Sequence, residues 1–393
     1  MRRSTDRILT THVGSLVRPP ELLDVLRRHQ RGEASAGWDA AVRRAVVDVV
    51  RRQVEAGIDV PSDGEYSKAG FTAYLNERLD GFEMRPPPPG QSRVLNRGRD
   101  RRAFADFYAE YDAQEGQPEG GDLAATCVRE VRYRGQDALR RDLETLAAAA
   151  RAAGVEEAFI PAAAPGTVEL QRPNAYYPSE EDYLDAIADA MREEYRAIVE
   201  AGFVLQVDDP RVVVQYDLQD PAPSVDDYRA FAARRIAALD HALAGLPADR
   251  IRYHLCWGSW HGPHTTDISL ADIVDLVLGV HAGAISLEAA NPRHAHEWTV
   301  WRTVKLPPGK VLIPGVISHN TNAVEHPELV AQRIETFARL VGKENVIAGA
   351  DCGFAQGAFY RRVHPSIMWA KLRALAEGAR VASERLWPTR VPA

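Results

Sequence analysis

The sequence predicts an α/β protein folded as a closed (β/α)8 TIM barrel, and three observations carry that prediction. Eight short apolar runs with strand character alternate with helical stretches along 393 residues, which is the signature of a parallel sheet covered by helices. The length suits one large barrel domain, read here as spanning 1–393. Third, side chains able to do chemistry stand at the C-terminal ends of nearly every strand candidate. In an open doubly wound sheet they would be strung along an edge, whereas a barrel gathers them at one mouth.

The first strand is Ile8 to Val13, stopped by Gly14-Ser15. Pro19-Pro20 opens a helix with Leu22, Leu23, Val25 and Leu26 on its apolar side. A second helix, Trp38 to Ala56, has Ala41, Val46, Val47, Val49 and Val50 as its expected buried stripe and ends at Gly57. These two form an N-terminal helical extension to the barrel. Ile58 to Pro61 is the second strand, with Asp63 and Glu65 at its end. Residues about 82–122 break the rhythm with a proline run, an Arg/Asp cluster and a glycine-rich stretch, and read as an irregular insertion after the second strand. The remaining strand candidates are 155–161, 203–208, 251–256, 284–289, 311–317 and 345–350, separated by helices at 180–201, 225–247, 269–281, 326–342 and 364–380.

Composition excludes several classes. Lys+Arg 48 against Asp+Glu 55 gives a net charge of −7, unlike a dedicated nucleic-acid binder. No apolar run approaches the roughly 18–20 residues of a membrane span, and the N-terminus has no signal-peptide core. A cytoplasmic protein is the expectation, with room for a homo-oligomer. Three cysteines in such a chain make no disulfide framework.

Two of those cysteines nevertheless stand at strand ends. In His254-Leu255-Cys256 alternate residues face one side of a strand, so imidazole and thiol can grip one ion. Glu288 ends the next strand, and Cys352 follows the last. Two thiolates, an imidazole and a carboxylate suit tetrahedral zinc, and the soft sulfur argues against magnesium or calcium. Drawn from separate strands, the set resembles a reactive site more than a closed structural one. Cys127 has no such company and reads as a free or buried thiol. Trp257 to His264 reads equally as a pocket wall or a packed loop, and His12 as a pocket residue. Glu65 and Asp208 lie in sequences that also form ordinary solvated turns.

The ordered series Leu9 through Gly14-Ser15, Gly57-Ile58-Asp59, Asp63-Gly64-Glu65, Val207-Asp208, His254-x-Cys256, Glu288, His319 and Asp351-Cys352 resembles the catalytic barrel of cobalamin-independent methionine synthase. Epoxyalkane:coenzyme M transferase is a stand-alone relative in that family. The resemblance implies a zinc-dependent methyltransferase, with His254, Cys256, Glu288 and Cys352 as ligands that bind a thiol substrate as thiolate. It further implies that Ser15, Glu65 and Asp208 hold the amino-acid part of the thiol, the two carboxylates taking its ammonium. His319 would protonate the departing group. Partners are then a small-molecule thiol, homocysteine first, and an alkyl or methyl donor. The alternative is an epoxide-opening thiol transferase or carbon–sulfur lyase with a non-folate electrophile, and a non-catalytic zinc protein is the third reading.

Overall fold

The structure is a computed structural model that describes residues 1–33, 37–86, 98–115, 123–360 and 362–388. Seven parallel strands form one sheet: β1 (Leu9–Thr10), β4 (Phe159–Ala163), β5 (Val204–Asp208), β6 (Ile251–Leu255), β7 (Ala284–Leu287), β8 (Val311–Ile317) and β9 (Ile347–Ala350), in the order β1-β9-β8-β7-β6-β5-β4. Residues 58–62 join the two edges as an eighth stave, with parallel bridges Thr11–Val60 and Ser62–Phe159. Pro61 has no N–H to give a ladder, so this stave is held by a few bonds, among them Phe159 N–H to the Pro61 carbonyl at 3.0 Å. The barrel expected from the sequence is therefore present.

The helices are α1 (Pro20–Gln30), α2 (Trp38–Glu55), α3 (Leu75–Arg78), α4 (Arg99–Ala103), α5 (Ala105–Glu115), α6 (Gln136–Ala152), α7 (Pro165–Glu169), α8 (Glu180–Glu200), α9 (Arg211–Leu218), α10 (Val225–Leu243), α11 (Leu270–Gly279), α12 (Pro327–Val341) and α13 (Pro365–Leu386). None of the described helices is long and apolar enough to cross a membrane. Ser179, Ser224 and Ser269 each cap a helix by accepting the N–H of the Asp three residues on. The helical extension sits between the first and second staves, so it is a connection within the barrel. Val47, expected in the buried stripe of α2, is 39% exposed; Val42, Val46, Val49 and Val50 are buried in its place. The apolar positions of α2 wrap beyond the face that packs, and the sequence pattern alone does not choose between them.

The excursion departs most from expectation. It is longer than 82–122 and largely regular. Strands β2 (Leu79–Arg85) and β3 (Ala124–Tyr133) pair antiparallel, with α4 and α5 between them. Most of the proline run and all of the glycine-rich stretch lie outside the described residues. Glu194 of α8 anchors the ribbon: it accepts from Tyr74 Oη (3.0 Å) and Tyr133 Oη (2.8 Å) and lies 3.4 Å from Arg78, which also pairs with Asp142. Cys127 lies in β3, fully buried, its thiol donating to the Arg129 carbonyl, and burial pushes its pKa up. It is inert.

Period-two alternation positions the site. Ile251, Tyr253 and Leu255 of β6 pack outward into the main apolar cluster between sheet and helices, which turns Arg252, His254 and Cys256 inward. Deleting the Glu194 carboxylate leaves the buried Tyr74 and Tyr133 hydroxyls without their acceptor and Arg78 with Asp142 alone. Glu194→Ala is expected to cost about 3–5 kcal/mol, measured by urea denaturation followed by circular dichroism.

Candidate metal centre

His254, Cys256 and Cys352 are buried, and one ligand atom from each lies within 4.8 Å of the others. The two sulfurs are 3.5 Å apart, too far for a disulfide. Tetrahedral bonds of about 2.0–2.3 Å set ligand atoms about 3.3–3.8 Å from one another, so the spacing suits a zinc-sized ion. His254 places Nδ1 3.2 Å from Ser286 Oγ and leaves Nε2 buried without a partner. Burial, then the Arg252 charge, lowers its pKa to about 3, so the ring is the neutral base that a metal needs. The neighbouring Cys256 sulfur, burial and the Glu288 charge hold the Cys352 thiol well above its usual value. A cation among the three donors would reverse that.

Glu288, the fourth expected ligand, stands outside this close cluster. Its Oε2 accepts from Asn291 Nδ2 (2.8 Å) and faces Arg293 (3.3 Å), while Oε1 is buried and without a partner. Burial lifts its pKa to about 7. Three of the four predicted ligands are thus gathered, and the fourth waits beside them with one bare oxygen.

Asp351 explains why these ends meet. Its carboxylate accepts the backbone N–H of Ala289, Ala290 and Asn291 (each 2.8 Å) and the Asn291 side chain (3.1 Å). The end of β9, which carries Cys352, is thereby fastened to the loop that carries Glu288. Ser15 touches the same region: its carbonyl accepts from Phe354 N (2.9 Å), and Gly353 is packed so closely that a Cβ there would lie 2.0 Å from Ser15 Oγ.

The acidic pair is also assembled. Glu65 and Asp208 are both buried, and Glu65 Oε2 has no partner. Burial raises the Asp208 pKa well above normal, and the charge of Glu65 adds to it. Burial raises Glu65 too, against Lys68 and Arg18. Glu65 takes a φ of 59°, a left-handed conformation that costs a side-chain-bearing residue energy.

His319 is fully buried with both ring nitrogens unpartnered. Burial and the charges of Arg362 and Arg293 hold it well below its ordinary pKa. His12 differs from the expectation. Its Nε2 lies 2.6 Å from Gln53 Oε1 and its Nδ1 accepts from Gly14 N–H at 3.1 Å. With both nitrogens used by the protein, it is a scaffold residue and leaves no ring atom for a substrate. Asp209 likewise turns outward, to Thr167 Oγ1 (2.7 Å) and Tyr253 Oη (3.0 Å).

Two features went unread in the sequence. The excursion roofs the site: Asp100 accepts from His264 N (3.0 Å), Thr265 N (2.8 Å) and Tyr108 Oη (2.8 Å), and Tyr108 in turn accepts from Trp260 Nε1 (3.1 Å). The 257–264 stretch is therefore a packed loop, with Trp257 stacked on His294 at 4.1 Å and Trp260 on His264 at 4.0 Å. Second, an ionic chain extends outward from Glu288. Arg293 pairs with Asp267, which faces His294 Nε2 at 3.3 Å, and His294 Nδ1 faces Glu297 at 2.8 Å. The spacing in Asn291-Pro292-Arg293-His294 was the available signal.

The sequence profile of the "Cobalamin-independent synthase, Catalytic domain" matches residues 165–368, just over half of the chain. The chain belongs to this family. It is 25% identical over 381 residues to a methionine synthase of Saccharolobus solfataricus, covering 96% of this chain and 95% of that protein. A methionine synthase of Sulfolobus acidocaldarius is 23% identical, covering 96% and 93%. Among solved structures, a B12-independent methionine synthase from Shewanella sp. W3-18-1 in complex with selenomethionine superposes with a TM-score of 0.69 at 19% identity, covering 97% of this chain and 99% of that one. A putative vitamin-B12-independent methionine synthase from Listeria monocytogenes gives 0.65 at 20%, covering 95% and 98%. These superpositions support the barrel fold.

Two outcomes follow from the geometry. Asp351→Asn replaces two acceptor oxygens by one and loosens the clamp, so metal affinity should fall about 10–100-fold, read by competition with a chromogenic chelator. Burial opposes charge on His294, but its bonds to Asp267 and Glu297 prevail and raise its pKa to about 9. A raised value stabilises the fold fully below the unfolded pKa near 6.5 and is lost as pH rises through about 9. Denaturant titrations from pH 6 to 10 should show that loss in the wild type and a shallower one in His294→Gln.

Proposed function

We propose that this protein is a zinc-dependent thiol methyltransferase whose acceptor is L-homocysteine or a close analogue. The observation that carries the reading is the juxtaposition at one barrel mouth of a buried His/Cys/Cys donor cluster and a buried pair of carboxylates. Family membership and the relatives named methionine synthase support it.

His254, Cys256 and Cys352 would hold the ion, with the bare oxygen of Glu288 available as a fourth donor. Bound there, zinc supplies a thiol deprotonated at neutral pH that keeps a usable sulfur nucleophile. The remaining work falls to the chain. Glu65 and Asp208 accept hydrogen bonds from the substrate ammonium and orient the thiol carbon chain. Ser15 and the loop after Cys352 close against the amino-acid end. The excursion, fastened through Asp100 and Tyr108, excludes water from the mouth. His319 stays neutral until a leaving group arrives; negative charge developing there offsets Arg362 and Arg293, so that the ring takes up a proton from solvent and passes it to the departing nitrogen. The unpartnered state of both its nitrogens supports that assignment.

The test is mass-spectrometric product analysis. The zinc-loaded protein, given homocysteine and methyl-tetrahydrofolate, should form methionine. A thioether formed only from an epoxide would replace this reading with the epoxide-opening one. No product from any thiol, together with a cobalt-substituted spectrum unmoved by thiols, would make the ion structural. His319→Gln should lower kcat by about 10²–10⁴-fold while leaving metal content and homocysteine affinity near wild type.

A further inference from the structure

Beneath the acidic pair the barrel interior holds a cation. Arg252 is 2% exposed, lies inside the barrel, and has no carboxylate at ion-pair distance among the described residues. Its guanidinium donates to Gln206 Oε1 (2.7 Å), Thr11 Oγ1 (2.9 Å) and the His12 carbonyl (2.7 Å), and lies 3.3 Å from the centre of the Phe159 ring. Such burial of a guanidinium is costly.

Strand register shows what lies above it. Arg252 stands opposite Gln206 in the β5–β6 ladder, and two residues on, Asp208 stands opposite His254. Because Gln206 Oε1 is taken by Arg252, its amide cannot flip without turning an N–H₂ onto the guanidinium. Nε2 is therefore committed to the other side, where it donates to Asp208 Oδ1 at 2.7 Å and to the Val13 carbonyl. The result is a chain of guanidinium, amide and carboxylate in which every donor direction is set.

We propose that Arg252 and Gln206 are positioning residues that fix the orientation of the Asp208 carboxyl and so set a preference for thiols carrying an ammonium group. Arg252 holds the Gln206 amide in one orientation, and that amide in turn holds Asp208 Oδ1. The carboxyl cannot turn without breaking this bond, so its other oxygen is the one presented to the substrate ammonium. This inference rests on the reading above, in which Asp208 holds the substrate amine.

Isothermal titration of the zinc-loaded protein with L-homocysteine and with 4-mercaptobutanoate, its amine-free counterpart, tests it. Gln206→Met should weaken homocysteine binding about tenfold or more and 4-mercaptobutanoate less than about twofold. Arg252→Lys, which keeps a donor for the Gln206 amide oxygen, should retain most of the preference. If the methionine variant does not fold, Gln206→Asn, too short to span Arg252 and Asp208, gives the same readout. Equal weakening of both thiols, or unchanged homocysteine affinity, overturns the inference while the amine reading stands. Equal binding of both thiols by the wild type overturns the amine reading and this inference with it.

Discussion

Four N–H groups converging on one carboxylate hold the candidate metal centre together. Asp351 collects the turn after β7, and it does so from the residue before Cys352. Cys352 follows from β9 and Glu288 from β7, so two strands separated by β8 are locked at one height. The clamp also constrains β8: a Cβ on Gly315 would meet Asp351 Oδ1 at 2.2 Å, so a side chain there would push the carboxylate off the turn it organises. With that contact made, Cys352 comes within 3.5 Å of Cys256, and His254 needs only the β6 alternation to join them. A charged acceptor meeting several N–H donors is among the stronger neutral–ion arrangements available in a protein interior.

Most of the barrel could be read in the sequence because its signals are local. Strand candidates 203–208, 251–256 and 311–317 match β5, β6 and β8 to within a residue, and the serine caps mark where helices begin. His254 and Cys256 were readable because period-two alternation needs no partner. The same alternation turns Arg252 inward, yet an arginine inside a barrel contradicts the ordinary expectation that charges face water, and only its three hydrogen-bond partners, brought from β5 and the first strand, resolve the conflict. His12 failed for the converse reason. A histidine at a strand end looks available until Gln53, forty-one residues away on α2, is seen against its ring.

The excursion was opaque for a different physical reason. The register of β2 and β3 pairs Leu79 with Tyr133 and Arg85 with Ala124, so each strand's partner lies tens of residues off, and its outer face stays polar. Its function as a roof depends on Asp100, whose partners His264 and Thr265 lie more than a hundred and sixty residues on. Nothing in the local run of Arg and Asp distinguishes a solvated charge cluster from that buried keystone.

The charges around the acidic pair follow one rule. Arg18 donates to the carbonyls of Glu65 and Lys68 at 2.6 and 2.8 Å, Lys68 to that of Pro161, and Arg252 to the Gln206 amide, Thr11 and the His12 carbonyl. All three are buried, and the hydrogen bonds they make go to neutral oxygens. A direct salt bridge would lower the energy of the empty pocket further, but it would fill the carboxylate lone pairs and leave a ligand to compete with an arginine. Cations set one layer back pull the pKa values of Glu65 and Asp208 down against the burial that raises them, while Glu65 Oε2 stays unpartnered. The arrangement sacrifices stability of the unliganded state for acceptor capacity. Under the function proposed above, that is the electrostatic pattern a cationic substrate group requires.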